Sequence, residues 1–204
     1  MSVYQLKSRF QNLLRPLVMR LAAGGVTANQ VTVTAALVSV ILGAFLAWSG
    51  NAAWFALVPV WLFLRMALNA IDGMLAREHG QKSTLGAYLN EIGDVISDAA
   101  LYAPFALVLP FTGPWIFAIV FLATLTEFAG VTGASVSASR RYDGPMGKSD
   151  RAVVFGVLGA RIAIDGSLPD WIFWLQPLLC LLLVITTAKR IANGVSEAKP
   201  GKRG

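Results

Sequence analysis

Long stretches with few or no charged residues alternate with short polar segments along the whole chain. A helix needs about 20 apolar residues to cross the roughly 30 Å hydrocarbon layer of a membrane, and several stretches reach that length. The pattern predicts six spanning helices, at residues 28–48, 53–77, 84–109, 113–138, 149–164 and 168–189. The fifth is short and carries Arg161, so five spans with a re-entrant piece is the alternative. The predicted fold is an all-α integral membrane bundle of six transmembrane helices.

Residues 3–21 follow a different pattern, in which apolar residues recur at helical spacing with basic residues between them. This pattern is typical of an amphipathic helix that lies on the membrane interface. Thr27 or Asn29 can then cap the first spanning helix. We divide the chain into an amphipathic juxtamembrane helix at 1–27, a six-helix domain at 28–192 and a basic tail at 193–204.

Composition agrees with a membrane protein, because 56% of the 204 residues are hydrophobic and only 14% are charged. A soluble core of this size could not bury so much apolar surface. The net charge of +6 therefore indicates contact with anionic lipid headgroups and phosphorylated substrates, and not with nucleic acid.

Basic residues are distributed unevenly between the predicted loops. They occupy the N-terminal segment, the link at 78–83, the segment at 139–151 and the C-terminal tail. The loops at 49–52, 110–112 and 165–167 contain none. Because cytoplasmic loops are enriched in Lys and Arg, both termini are expected in the cytoplasm, as in a protein of a bacterial inner membrane.

Ionisable and amide side chains cluster on the second and third predicted spans, although such groups are costly at bilayer depth. At about 100° per residue, each span gathers its polar positions and glycines on one face. These positions are Arg65, Asn69, Asp72, Gly73 and Arg77 on the second span, and Gly86, Asn90, Glu91, Asp94 and Asp98 on the third. A short link joins the two helices, so the faces can meet. Oxygen ligands without His or Cys suit a hard cation such as Mg²⁺ or Mn²⁺.

The spacing of these residues resembles the signature of the CDP-alcohol phosphatidyltransferases. That signature runs D-x-x-D-G-x-x-A-R, eight residues, and then G-x-x-x-D-x-x-x-D. This chain has N-x-x-D-G-x-x-A-R from Asn69 to Arg77, eight intervening residues, and G-x-x-x-N-x-x-x-D from Gly86 to Asp94. Residues 27–32 also resemble the family's T-P-N-x-x-T segment before the first span, with Ala in place of Pro.

The resemblance implies a metal-dependent homodimeric enzyme of phospholipid biosynthesis, which transfers a phosphatidyl group from CDP-diacylglycerol to an alcohol and releases CMP. Asp72 would be a metal ligand, and Asp94 would be both a ligand and the general base. Asn69 and Asn90 stand where the family has ligand Asp residues. The nucleotide side of the site would be shaped by Gly73, Ala76, Arg77 and Gly86.

The two Asn residues remove two negative charges from the implied metal site, which leaves three alternatives. One divalent ion suffices, or Glu91 or Asp98 restores the charge, or the protein is a relative that binds a cation or a nucleotide-lipid without catalysis. Arg65 should lie level with Asp98 across the antiparallel helices, with Glu127 as a candidate third partner. We therefore expect Asp98 to pair with Arg65, and Glu91 to face the metal site.

A basic cluster precedes and begins the fifth predicted span and has two interpretations. It consists of Arg140, Arg141, Lys148 and Arg151. These residues could simply mark a cytoplasmic loop. The segment 143–151 also resembles the family's G-K segment beside the acceptor pocket, and Arg suits phosphate recognition. The second interpretation predicts a phosphorylated polyol as the acceptor. The lone His79 has no second His or Cys nearby with which to hold a metal.

Overall fold

A computed structural model describes residues 3–198 of the chain. This part is helical, with no strand among the described residues. Its α-helices are α1 (Val3–Ala23), α2 (Ala28–Ser49), α3 (Leu57–Glu78), α4 (Thr84–Tyr102), α5 (Gly113–Ser135), α6 (Lys148–Asp165) and α7 (Leu175–Ala198). Short 3₁₀ helices extend three of them, at Ala52–Ala56, Ala103–Leu107 and Asp170–Trp174. The predicted all-α fold is confirmed.

Four helical segments are long and apolar enough to cross a membrane. They are Ala28–Ser49, Ala52–Glu78, Gly113–Ser135 and Asp170–Ala198. The other two helices at predicted spans, α4 and α6, carry more charge, which includes Glu91, Asp94 and Asp98 on α4 alone. Large apolar side chains such as Ile41 and Phe117 are exposed on the outside of the bundle, as lipid contact requires. The chain is an integral membrane protein, and the number of six spans stays a prediction.

The two ends of the described region differ in part from the predicted boundaries. Helix α1 lies where the amphipathic helix was predicted, with Val18 buried against the bundle and Leu13 exposed. Thr27, rather than Asn29, caps α2 by accepting a hydrogen bond from the backbone N–H of Gln30. Helix α7 continues past residue 192 to Ala198. The rest of the predicted basic tail, with Lys199, Lys202 and Arg203, lies outside the described residues.

Two apolar clusters hold the bundle together, and polar side chains separate them. Along α3, Leu62 belongs to the larger cluster and Ile71 to the smaller one, while Arg65 and Asn69 lie between. Helices α2 and α4 approach closely at Gly43, where a Cβ atom would lie 2.1 Å from the carbonyl oxygen of Ala100. Helix α2 also reaches the polar face of α3, where the Thr32 hydroxyl donates to Asp72.

Candidate active site

A cavity of about 960 Å³ lies beside the polar faces of α3 and α4. Asn69, Asn90 and Asp94 line it, so three of the four signature positions share one space. Basic side chains from three later parts of the chain also line it, namely Arg140, Lys148 and Arg190. Phe10 and Leu13 of α1 and Phe63 and Met66 of α3 add apolar lining. The cavity therefore combines charged and polar groups with an apolar surface.

Asp94 is the most accessible signature carboxylate, with 16% of its side chain exposed. Its carboxylate pairs with the Lys148 ammonium, and its Oδ1 lies 3.2 Å from Nη2 of Arg65. The same Arg65 nitrogen donates to the Asp94 backbone carbonyl at 3.0 Å. Two cations thus contact this carboxylate at the edge of the cavity.

Asp72 is buried, with 6% of the residue exposed. Its Oδ2 accepts a hydrogen bond of 2.8 Å from the hydroxyl of Thr32 on α2. Among the described side chains, no Lys or Arg forms an ion pair with Asp72. Asp72 lies near enough to Asp94 and Lys148 for their charges to act on it. Asp72 and Asp94 therefore belong to one electrostatic site but have different partners.

A buried charge network lies deeper in the bundle than Asp94. Asp98 pairs with Arg65, as predicted, and its Oδ2 is 2.8 Å from Nη2 of Arg151. The same Arg151 nitrogen is 3.0 Å from Glu127, which lies 3.3 Å from Arg190 as well. Glu127 therefore joins the predicted pair through Arg151. Asp98 has two guanidinium partners and is not turned toward the signature residues.

Glu91 lies in an ion pair with Arg140 of the loop before α6. Arg140 also reaches Glu127, at 3.6 Å. Within the described part of the chain, no three Asp, Glu, His or Cys side chains converge as a metal-binding group. Arg140 binds the Glu91 carboxylate, and Glu91, Asp72 and Asp94 do not form a group of three acidic ligands. The expectation that Glu91 faces the metal site stays a prediction. The acidic groups at the signature positions are the two Asp residues, with the amide oxygens of the two Asn residues beside them.

The four basic residues predicted to bind an acceptor phosphate separate into two pairs. Arg140 and Lys148 line the cavity. Arg151 lies one turn deeper on the inner face of α6, where 2% of its side chain is exposed and two carboxylates bind it. Arg141 binds Asp143 and Glu197 instead, and its hydrogen bonds lower the pKa of Asp143. Neither Arg151 nor Arg141 lines the cavity.

Arg190 is a cavity residue that the sequence did not reveal. Its guanidinium donates to the backbone carbonyl of Asp143 at 3.2 Å and contacts Thr126 and Glu127 on α5. The predicted last span ended at residue 189, so Arg190 counted only among the basic residues that follow it. The helix in fact continues through it and packs that turn against α5. Arg190 connects the buried network to the loop that carries Arg140.

The residues predicted for the nucleotide side lie at the cytoplasmic ends of α3 and α4 as the sequence orients them, outside the lining of the large cavity. A Cβ atom on Gly73 would lie 3.0 Å from the Arg77 guanidinium, so Arg77 lies across Gly73. A Cβ atom on Gly86 would lie 2.7 Å from Oδ1 of Asn29. Ala76 packs against the smaller apolar cluster. Gly86 therefore allows α4 to pack closely on α2, and Gly73 leaves room for the Arg77 side chain of its own helix.

The loop before α6 lies against α5 and α7 through close backbone contacts. The Arg141 N–H donates to the carbonyl of Gly130 at 3.0 Å, and the Met146 N–H donates to the Thr186 hydroxyl at 3.0 Å. Gly144 has a φ of 115°, and a Cβ atom there would lie 2.5 Å from the Thr186 side chain. The position of this loop therefore depends on glycine at residue 144. The positions of Arg140 and Lys148 depend on it in turn.

We expect Gly144→Ala to lower the stability of the protein by about 3 kcal/mol, through backbone strain and the contact with Thr186. Gly80→Ala is the matched control, because Gly80 also has a positive φ, of 68°, but nothing lies within 4 Å of its added Cβ. The control should lose only about 1 kcal/mol. Thermal unfolding in detergent measures both variants, and equal losses would show that Thr186 does not restrict this turn.

Comparisons with known proteins show the family and the fold of this chain. A sequence profile of the CDP-alcohol phosphatidyltransferases matches residues 25–188. The chain is 44% identical over 193 residues to the inner membrane protein YnbA of Escherichia coli, covering 93% of this chain and 94% of YnbA. It is 25% identical over 199 residues to the phosphatidylinositol phosphate synthase of Streptomyces avermitilis, covering 89% and 80% of the two chains.

Solved structures share the fold at lower identity. The crystal structure of Mycobacterium tuberculosis phosphatidylinositol phosphate synthase (PgsA1) with CDP-DAG bound superposes with a TM-score of 0.74 and 20% identity, over 93% of this chain and 96% of that one. The same enzyme in complex with manganese and citrate gives a TM-score of 0.73 and 19% identity, over 93% and 91% of the two chains. At this identity the likeness establishes the architecture of the bundle.

Proposed function

Because this chain belongs to the CDP-alcohol phosphatidyltransferase family, we propose that it transfers the phosphatidyl group of CDP-diacylglycerol to the hydroxyl of an alcohol and releases CMP. One observation carries the proposal: Asn69, Asn90 and Asp94 line the same cavity as Arg140 and Lys148. An acidic group suited to activate a hydroxyl and cations suited to bind phosphate thus share one space. The CDP-DAG bound to PgsA1, which has the same fold, supports the choice of donor.

In the proposed reaction, the acceptor hydroxyl oxygen attacks the phosphorus on the lipid side of the diphosphate. The bond from that phosphorus to the bridging oxygen breaks, and CMP leaves with the bridging oxygen. The hydroxyl proton passes to the Asp94 carboxylate, which acts as the general base. Arg65 and Lys148 contact this carboxylate and orient it at the edge of the cavity.

A divalent cation, Mg²⁺ or Mn²⁺, is part of the proposal. The oxygen-only donor set of Asp72, Asp94, Asn69 and Asn90 fits such a hard cation. When bound, the cation would neutralise charge on the diphosphate. The complex of PgsA1 with manganese and citrate supports a cation on this fold. Glu91 is left out of the proposed ligands because Arg140 binds its carboxylate.

The remaining parts of the proposal concern the substrates and the setting. By family resemblance, Gly73, Ala76, Arg77 and Gly86 are proposed to shape the CDP side of the site, at the ends of α3 and α4 that a short link joins. The acceptor is a phosphorylated polyol, and Arg140 and Lys148 bind its phosphate. By resemblance the protein is a homodimer. We place it in a bacterial inner membrane with both termini in the cytoplasm.

Release of CMP tests the activity. Purified protein is incubated with CDP-diacylglycerol, Mg²⁺ or Mn²⁺, and matched pairs of phosphorylated and free polyols. We expect CMP release to require the cation and to be faster with a phosphorylated member of the panel. Binding of CDP-diacylglycerol without CMP release from any acceptor would instead support the non-catalytic alternative, which the two Asn residues keep open.

Arg140→Gln should weaken the use of the phosphorylated acceptor more than the use of the donor. Loss of one charge-assisted hydrogen bond to phosphate costs about 2 kcal/mol, so we expect the KM for the acceptor to rise by about tenfold or more. The KM for CDP-diacylglycerol should stay within about threefold. Arg141→Gln is the control, because Arg141 binds Asp143 and Glu197 away from the cavity. An equal rise in both KM values for Arg140→Gln would show that Arg140 does not belong to the acceptor site.

A further inference from the structure

The ion pairs around the cavity form one connected set of charges. The carboxylates in it belong to Glu91, Asp94, Asp98 and Glu127, and the cations belong to Arg65, Arg140, Lys148, Arg151 and Arg190. Four carboxylates therefore face five cations, which leaves an excess of one positive charge. Asp72 forms none of these ion pairs, so it lies outside the connected set.

Asp94 already has a positive neighbour on the cavity side. The Lys148 ammonium pairs with its carboxylate, and Asn90, one helical turn away on α4, contributes no charge. A divalent ion at Asp94 would have to approach this ammonium or displace it. Like charges in a partly buried site repel strongly, because water screens them less than at a free surface. The Asp94 side of the site is therefore poorly suited to a second divalent ion.

Asp72 presents the opposite case. Its carboxylate has the Thr32 hydroxyl as a hydrogen-bond donor and no Lys or Arg partner among the described side chains. A buried carboxylate is stable only when a cation or several hydrogen bonds compensate it. Asn69, one turn away on α3, can offer an amide oxygen. The site is therefore built to take positive charge at Asp72.

We propose that the protein holds one divalent cation, on Asp72 with the amide oxygens of Asn69 and Asn90, and that the Lys148 ammonium provides at Asp94 the positive charge of a second cation. The inference deepens the proposed function, because it concerns the cation which that function requires. The two Asn residues and the Lys148–Asp94 pair are then parts of one arrangement. Asn69 and Asn90 stand where the family signature has Asp, and in this proposal the Lys148 ammonium supplies the charge of one divalent ion.

Counting bound Mn²⁺ tests this inference without any substrate. Purified protein in detergent is titrated with Mn²⁺, and free Mn²⁺ is read from its electron paramagnetic resonance signal. We expect about one Mn²⁺ per protomer for the unchanged protein. The double variant Asn90→Asp/Lys148→Met restores a carboxylate and removes the ammonium, so it should bind a second Mn²⁺. The control, Asn90→Asp/Arg161→Gln, removes a cation of the same helix that pairs with Asp165 instead, and it should still bind one.

Three results would overturn the inference: two Mn²⁺ in the unchanged protein, none in it, or only one in the variant that lacks Lys148. If that double variant does not fold, Lys148→Met alone decides. It should bind its single Mn²⁺ about tenfold more tightly, because one nearby positive charge is gone, and unchanged or weaker binding would contradict the inference. CMP release is measured separately, so an unchanged protein that binds one Mn²⁺ but releases no CMP would reject the proposed activity and not the cation count.

Discussion

Asp94→Asn is expected to slow CMP release by about a thousandfold or more. The amide cannot accept the proton of the acceptor hydroxyl, and a positioned general base contributes about 10²–10⁴-fold to a rate. The change also removes one of only two carboxylates at the signature positions. The protein should still fold, because Arg65 retains its pair with Asp98 and Asp94 lies at the edge of the cavity. The rate of CMP release from CDP-diacylglycerol, with saturating cation and acceptor, measures the effect.

Asp165→Asn is the control for this loss of charge. Asp165 ends α6 at the other end from Lys148 and pairs with Arg161 of its own helix. Its variant should release CMP at nearly the normal rate. If Asp94→Asn retained a rate within about threefold of normal, Asp94 would not be the base.

Arg151→Met is expected to have the largest effect on stability, a loss of about 3–5 kcal/mol. Removal of one partner from a buried ion pair leaves the other charge uncompensated. Here the change deprives both Asp98 and Glu127 of a partner, and 2% of the Arg151 side chain is exposed. Apparent thermal unfolding in detergent and the yield of folded protein measure the loss.

Arg161→Met is the matched change at an exposed site of the same helix, where 61% of the side chain is exposed. Exposed ion pairs contribute about 0–1 kcal/mol, so this variant should unfold close to the normal temperature. Equal unfolding temperatures for the two single variants would show that the network does not stabilise the bundle.

The helices could be predicted from the sequence because their lengths follow from the apolar stretches. Helix α2 was predicted at 28–48 and runs from Ala28 to Ser49. The Arg65–Asp98 pair could also be predicted, because depth along two antiparallel helices follows from the rise per residue. Helical periodicity thus determines both where the helices lie in the sequence and how deep each side chain lies along the helix axis.

Contacts that depend on packing between distant helices could not be predicted in the same way. Arg190 reaches Glu127 across 63 residues of chain, and only the packing of α7 on α5 brings them together. Glu91 is bound by Arg140, which lies on a loop with no helical period. Arg151 lies close to Lys148 in the sequence, but it is one helical turn deeper. It therefore belongs to the buried network and does not line the cavity. Loop conformation and helix rotation determined these partners.

The fate of the phosphorus on the lipid side of the diphosphate tests the central claim most directly. CDP-diacylglycerol labelled at that phosphorus is incubated with purified protein, Mg²⁺ or Mn²⁺ and the phosphorylated polyol that best stimulates CMP release. Phosphatidyl transfer predicts unlabelled CMP and one labelled lipid that contains the acceptor, with neither formed by Asp94→Asn. Label recovered in phosphatidic acid alone would show hydrolysis instead of transfer to an alcohol. Label that remains in CDP-diacylglycerol with every acceptor would contradict the proposed activity altogether.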